Sequence, residues 1–314
     1  MPKTGNAQSS AYADGMAGPD RRQPARAPLG ERRARGGRID PTPDVLARLE
    51  IASRLAREAG EIVVRRYGET GRRLKAGGSP VTQADLEANE RIVAGLREAF
   101  PEDGVRAEES PGPAGGSGSR LWVVDPLDGT KEFLAGNGEF AVMIGLAESG
   151  RAVLGVVLLP VPDLLYRAVI GGGAWVERGD RVERLRCAQL RKDVLRFIGS
   201  RSHPDALVTR MKFELGVTDE EQAGSVGVKC ARIAEGTRDL YVHPVGHLKE
   251  WDTCAPEVIV REAGGTVKDC EGAPLRYGKR EPSQPHGMLA CGAGDATGLI
   301  DRVSGIYRAA RNES

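Results

Sequence analysis

The chain is short of several features, and each shortage removes a class of function. Aromatic residues make up 4% of its 314 residues. A platform that stacks nucleic-acid bases needs more than that. Charge of one sign is not in excess: 45 Lys and Arg face 44 Asp and Glu, a formal net charge of +1. Polynucleotide-binding domains carry a basic excess, so no polynucleotide partner is expected. No apolar run approaches the ~18 residues of a membrane-spanning helix, so no membrane span is expected, and the N-terminus lacks the apolar core of a secretory leader. The cysteines Cys187, Cys230, Cys254, Cys270 and Cys291 are odd in number and widely spaced, with no C-x-x-C pair. That pattern argues against a cysteine zinc site and for reduced thiols in a cytoplasm. No cysteine is assigned a catalytic part, none being read as sitting in a C-x5-R nucleophile loop.

What is present divides unevenly. From Met1 to Arg38 there are eight basic and three acidic residues, which leaves the remainder at a net −4. Residues 1–40 are rich in Gly, Ala, Arg and Pro, and too poor in large apolar residues to offset the entropy of ordering. They are expected to form a disordered basic tail. Folded structure is expected from Pro41. Leu46, Leu49, Ala52, Leu55, Ala56, Ala59, Ile62 and Val63 recur at helical spacing. Thr82 followed by Asp85 opens a second helix running to about Phe100. Strands are expected at 105–107, 121–124, 140–146, 152–159 and 164–170. After about Leu185, strands at 195–199, 239–242 and 288–291 alternate with helices at 205–215, 228–235, 252–263 and 296–310. The expected fold is therefore α+β, with a helix pair and antiparallel sheet over 41–190 and an α/β part over 191–314.

The most informative stretch is Asp125-Pro-Leu-Asp128-Gly129-Thr130. Two carboxylates follow an apolar strand and precede a Gly-Thr turn. Such a pair is costly to bury unless a cation sits there. Oxygen ligands without nearby His or Cys favour Mg²⁺ over Zn²⁺. The Gly129 and Thr130 amides are candidates to hold a phosphate. A lone D-x-x-D is more simply a capping turn. Asp85, Glu108 and Asp252, however, also stand at strand ends or helix starts, and five such carboxylates suit a two-metal phosphoryl site.

These motifs bring out a resemblance. Ser79-Pro-Val-Thr-Gln-Ala-Asp85, Ala107-Glu-Glu-Ser110, Trp122-Val-Val-Asp-Pro-Leu-Asp-Gly-Thr-Lys-Glu-Phe133 and Trp251-Asp-Thr-Cys-Ala-Pro256 occur in this order, the last followed by Ala263-Gly-Gly265. Over about 45–310 the chain resembles the lithium-sensitive, Mg²⁺-dependent phosphatase superfamily of inositol monophosphatase and fructose 1,6-bisphosphatase. The Lys-Glu-Phe continuation resembles its 3′(2′),5′-bisphosphate nucleotidase branch. The resemblance implies an α-β-α-β-α layered sandwich and hydrolysis of a phosphomonoester by water. It implies that Glu108, Asp125 and the Leu127 carbonyl bind one Mg²⁺, and that Asp125, Asp128 and Asp252 bind a second. It implies that Gly129 and Thr130 contact the phosphate, with Thr130 orienting water and Asp85 supporting it. Asp85, Asp128 and Thr130 thus make up the catalytic set.

Substrate residues are less distinct. Ser200-Arg-Ser-His203 resembles the nucleotide-contacting segment, with His203 on a second phosphate; a loop histidine is otherwise simply solvated. Ser225 and Lys229 read either as a pocket with a phosphate-binding lysine or as a helix cap and a surface lysine. Trp251 stacks near a base or packs in the core. The implied substrate is adenosine 3′,5′-bisphosphate, with 3′-phosphoadenylyl sulfate a second. An inositol or sugar monophosphatase and a weakly active nucleotide-binding regulator are the alternatives, and either a monomer or a homodimer fits.

One departure carries a prediction. Many members of the superfamily place an Asp between the turn lysine and the Thr-x-Ala-Asp motif, whereas Lys75-Ala-Gly-Gly-Ser-Pro80 has no carboxylate. Two Mg²⁺ are therefore expected, with any third bound weakly or through Glu69 or Glu109. Activity against Mg²⁺ concentration should rise along a shallow curve; a steep, high-order curve would contradict this.

Overall fold

The computed structural model describes residues 40–68, 71–74, 80–110, 116, 118–191, 193–244 and 247–313. The expected tail and the Lys75–Ser79 part of the turn lie outside the described residues. In chain order the elements begin with α1 (Pro43–Arg66), β1 (Arg72–Leu74), β2 (Pro80–Thr82), α2 (Gln83–Ala99), β3 (Gly104–Ala107), β4 (Arg120–Asp128) and α3 (Thr130–Ala135). A run of strands follows: β5 (Ala141–Glu148), β6 (Arg151–Leu159), β7 (Leu164–Val169), β8 (Gly173–Arg178) and β9 (Arg181–Arg184). The rest alternates: β10 (Arg196–Ser200), α4 (Ala206–Leu215), β11 (Asp219–Ala223), α5 (Val226–Ala234), β12 (Leu240–His243), α6 (Glu250–Glu262), β13 (Thr266–Lys268), β14 (Met288–Cys291) and α7 (Thr297–Asn312).

Strands β3 to β9 form one sheet in sequence order, antiparallel except for the parallel β3–β4 pair. A second sheet has the order β11-β10-β12-β14-β13 and mixes parallel and antiparallel pairs. Strand alternation divides each sheet between two cores. Val124, Val142 and Ile144 face α1 and α2, while Val123, Ala141 and Met143 face α5 and α6. In the second sheet Ile198, Tyr241 and Ala290 face that same middle layer. Phe197, Leu240 and Leu289 face Met211 and Leu215 of α4 and Val303 and Ile306 of α7. The result is an α-β-α-β-α sandwich.

Of the elements not expected from the sequence, β1, β2 and β13 are three residues long and β8 carries only the buried apolar pair Ala174 and Val176, while the others lack an apolar pattern. β9 (Arg-Val-Glu-Arg) is exposed throughout, and β11 (Asp-Glu-Glu-Gln-Ala) is polar except at its end. Both are edge strands, where only one side of the ladder is paired. α3 is six residues long, too short to show a helical period.

Helix α6 is seated by a glycine pair. Gly145 and Gly155 are register partners on β5 and β6. A Cβ on Gly155 would lie 2.3 Å from the Ala255 carbonyl oxygen, and one on Gly145 would lie 2.6 Å from Cys254 Sγ. The helix backbone therefore rests directly on the sheet. Gly155→Ala should destabilise the fold by about 1–3 kcal/mol through overpacking. Thermal unfolding checks this; an unchanged Tm would contradict the close seating of α6.

Candidate active site

The acidic turn lies on β4 itself. Residues three apart on a regular strand point to opposite faces. Here Asp125 pairs with Met143 and Asp128 with Ala141, a register shift that fits one extra residue at Pro126-Leu127. That bulge returns Asp128 to the side of Asp125. Gly129 then turns the chain into α3 with φ +96°, and a Cβ there would meet the Glu139 carbonyl oxygen at 3.1 Å. Pro126 was the sequence signal for the bulge, since proline is confined to such breaks within sheets.

Asp252 arrives from the first turn of α6 and Glu108 from the turn after β3. Asp125, Asp128 and Asp252 each place a carboxylate oxygen within 4.8 Å of the others. Glu108 stands outside that trio but close enough for its charge to act on all three. Burial pushes the carboxyls of Asp125 and Asp252 well above the usual range, and mutual repulsion adds to it. Asp128 is also raised by burial, but bonds from Ser225 and Gly227 and the charge of Lys229 draw it back. A buried cluster of acids that disfavour their own charge fits a divalent cation with hard oxygen ligands.

Several groups hold these acids. Leu127 N donates to Asp125 Oδ1 at 3.0 Å, and Lys249 N donates to Asp252 Oδ2 at 2.5 Å. Ser225 Oγ donates to Asp128 Oδ2 at 2.5 Å, and Gly227 N donates to it at 2.9 Å. Thr82 donates to Asp85 Oδ2 from its backbone N at 2.8 Å and from Oγ1 at 2.5 Å. Thr130 Oγ1 lies 3.1 Å from Asp85 Oδ1 and 3.3 Å from the Leu127 carbonyl oxygen, so either accepts its proton. Asp85 thus joins the start of α2 to the turn before α3.

A cleft of about 1290 Å³ opens beside the cluster. Glu108, Asp128, Gly129, Thr130 and Asp252 line it, as do Trp251 and Lys229. Ser200 and His203 also line it. Asp85, Asp125 and Leu127 reach the site through the contacts just described. Ser225 is fully buried behind Asp128, where it also caps α5 by accepting from Val228 N at 3.2 Å. Lys229 is 1% exposed, which rules out the surface-lysine reading. Its Nζ donates to the carbonyls of Ala223 and Gly224 and lies 5.4 Å from the Tyr241 ring centroid. Trp251 both packs in the core and borders the cleft.

Three features were not read from the sequence. Lys131 Nζ lies 2.9 Å from His203 Nε2, a pairing of residues far apart in the chain. Burial and the Lys131 charge lower the His203 pKa, so Nε2 accepts from the ammonium. His243 borders the cleft with its buried Nε2 unpartnered among the described residues, and burial holds its pKa at about 4. Nothing in a lone strand-end histidine signals that position. Contrary to the expectation from sequence, Cys270 and Arg276 do stand at the C-x5-R spacing of a cysteine-nucleophile phosphatase loop. The Cys270 thiol is fully buried, donates to the His243 and Met288 carbonyls, and is pushed far up by burial, so it is no nucleophile.

A layered sandwich with buried carboxylates at the mouth of a cleft defines a metal-dependent phosphatase. The model of the inositol monophosphatase family matches residues 44–296, and the chain belongs to that family. It is 38% identical over 240 residues to 3′(2′),5′-bisphosphate nucleotidase CysQ of Escherichia coli (strain K12), covering 74% of this chain and 95% of that one. It is 36% identical over 236 residues to inositol-1-monophosphatase of Mesorhizobium japonicum, covering 72% and 86%. Among solved structures, the extragenic suppressor protein suhB of Bartonella henselae superposes with a TM-score of 0.70 at 29% identity, covering 83% and 98%. CysQ of Bacteroides thetaiotaomicron, a member of the same family, superposes at 0.66 and 33% identity, covering 79% and 98%. No helix among the described residues is long and apolar enough to cross a membrane.

The raised acids predict a pH effect on the metal-free protein. A carboxyl whose folded pKa is raised stabilises the fold most below its unfolded value and loses that contribution as pH rises through the folded one. In chelator, Tm should therefore rise as pH falls from about 8 to about 5.5, and Mg²⁺ should raise Tm more at the higher pH. A metal-free Tm that is flat or falls over this range would contradict the burial of charge at Asp125 and Asp252.

Proposed function

We propose that the chain hydrolyses adenosine 3′,5′-bisphosphate to AMP and phosphate, with 3′-phosphoadenylyl sulfate as a second substrate. The observation that carries this reading is a single cleft lined both by residues of the acid cluster and by the Lys131–His203 pair. It brings together acids suited to a reacting phosphate and a cation beside a neutral imidazole suited to a second phosphate. The 38% identity to a bisphosphate nucleotidase supports it.

Glu108, Asp125, Asp128, Asp252 and the Leu127 carbonyl would hold two Mg²⁺. Bound there, Mg²⁺ neutralises phosphate oxygens, lowers the pKa of water and stabilises the leaving alkoxide. The chain's own residues orient the reactants. The Thr130 hydroxyl gives its proton to Asp85 or to the Leu127 carbonyl, so its lone pairs are free to accept from the attacking water. Asp85, with Oδ2 already accepting from Thr82, keeps Oδ1 for that hydroxyl. The Gly129 and Thr130 amides open α3 toward the cleft, where they suit a phosphate oxygen. Lys229 acts from behind, holding the Ala223 and Gly224 carbonyls and moderating the charge of Asp128. In this reading its part is to shape the pocket wall. Ser225 fixes the rotamer of Asp128.

The 36% identity to an inositol monophosphatase favours a second reading, hydrolysis of an inositol or sugar monophosphate at the same acids. Phosphate release under Mg²⁺ from adenosine 3′,5′-bisphosphate, inositol 1-phosphate and fructose 1,6-bisphosphate separates the two. The highest kcat/KM is expected for the nucleotide. A preference for either other ester would overturn the substrate assignment, and no release from any would favour a binding regulator. Asp125→Asn should abolish turnover while the protein stays folded; near-normal activity would contradict the site assignment.

A further inference from the structure

We propose that the buried ion pair Arg106–Glu250 is a positioning device that sets the separation of Glu108 and Asp252 and so the affinity of the acid cluster for Mg²⁺. The inference rests on the metal-site reading above and adds two residues with no part in it.

The acids come from three segments. Glu108 and Asp125 follow from neighbouring strands whose register the β3–β4 ladder sets, with Glu108 N donating to the Val124 carbonyl at 3.1 Å. Asp252 stands on a helix that packs across the sheet, and no ladder fixes how far its first turn lies from β3. Without a cation, repulsion between the acids drives these segments apart. A restraint is needed at that point.

Arg106 Nη1 donates to Glu250 Oε2 at 2.6 Å. The side chains are 12% and 0% exposed, so water screens the pair little. Arg106 lies two residues before Glu108, and Glu250 lies two residues before Asp252. The pair therefore spans the same two segments as Glu108 and Asp252, with attraction where the acids repel. Glu250 is itself held by Gly278 N at 3.1 Å and Lys279 N at 3.0 Å, and its own N donates to the Pro282 carbonyl at 2.7 Å. These bonds make Glu250 a fixed post rather than a mobile surface charge. Groups bonded directly to metal ligands typically change metal affinity about 10–100-fold when removed, and this pair, one step further back, is expected at the lower end of that range.

The test is Mg²⁺ binding to the full chain by isothermal titration calorimetry, with kcat at saturating Mg²⁺ measured alongside. Arg106→Leu and Glu250→Gln should each weaken Mg²⁺ binding about tenfold or more. Arg106→Lys keeps the charge and should recover most of the affinity. All three should retain kcat at saturating Mg²⁺ within about twofold, because the pair touches neither substrate nor reacting atoms. If Arg106→Leu does not fold, the isosteric Glu250→Gln carries the measurement. Wild-type Mg²⁺ affinity in Glu250→Gln would overturn the inference, as would equal losses in Arg106→Lys and Arg106→Leu. Failure of the wild type to bind Mg²⁺ would overturn the metal-site reading as well; normal wild-type binding with unaltered variants overturns the positioning role alone.

Discussion

Repulsion between buried carboxylates is the constraint around which this protein is arranged. Asp125, Asp128 and Asp252 crowd their oxygens together, Glu108 adds its charge, and all three aspartates are raised by burial. A cluster of this kind opposes folding. The surrounding structure reads as a set of restraints against it. The β4 bulge brings two acids to one side, backbone amides and Ser225 bind the carboxylate oxygens, Lys229 supplies an opposing charge, and the Arg106–Glu250 pair ties β3 to the start of α6.

The layer order explains how acids from distant parts of the chain meet. α6 lies in the middle layer, shared by both sheets, and its side chains contribute to the core between them. Its first turn delivers Asp252 to the end of β4 in the other half of the chain. The glycine pair beneath it removes the side chains that would lift the helix away. Pro256 stands four residues after Asp252, so the Asp252 carbonyl receives no backbone bond from that position. Fold and site are thus coupled through one helix. Part of the cleft wall, by contrast, comes from the loops after β10 and β12, the kind of segment in which substrate contacts vary most readily.

Much of this was legible in the sequence because the signals were local. The apolar period of α1, the Thr82–Asp85 box of α2 and the apolar runs of β5 to β7 each occupy one continuous stretch. The acids of the site stood at strand ends and helix starts, so their order along the chain was readable. What escaped depended on contacts between distant residues. The Lys131–His203 and Arg106–Glu250 pairs join positions with no shared local pattern. Ser225 and Lys229 read equally as pocket residues or as a cap and a surface lysine, and only the folded chain shows Ser225 capping α5 behind Asp128 and a buried Lys229 that borders the cleft while bonding backbone carbonyls. Edge strands β9 and β11 have no apolar face to reveal them.

The account depends most on the acid cluster being a divalent-cation site. A crystal grown with Mn²⁺ in place of Mg²⁺ and measured for anomalous scattering tests this without reference to any substrate. Peaks bounded by Glu108, Asp125, Asp128 and Asp252 are the result the account predicts. A map with those carboxylates ordered and no peak among them would contradict it.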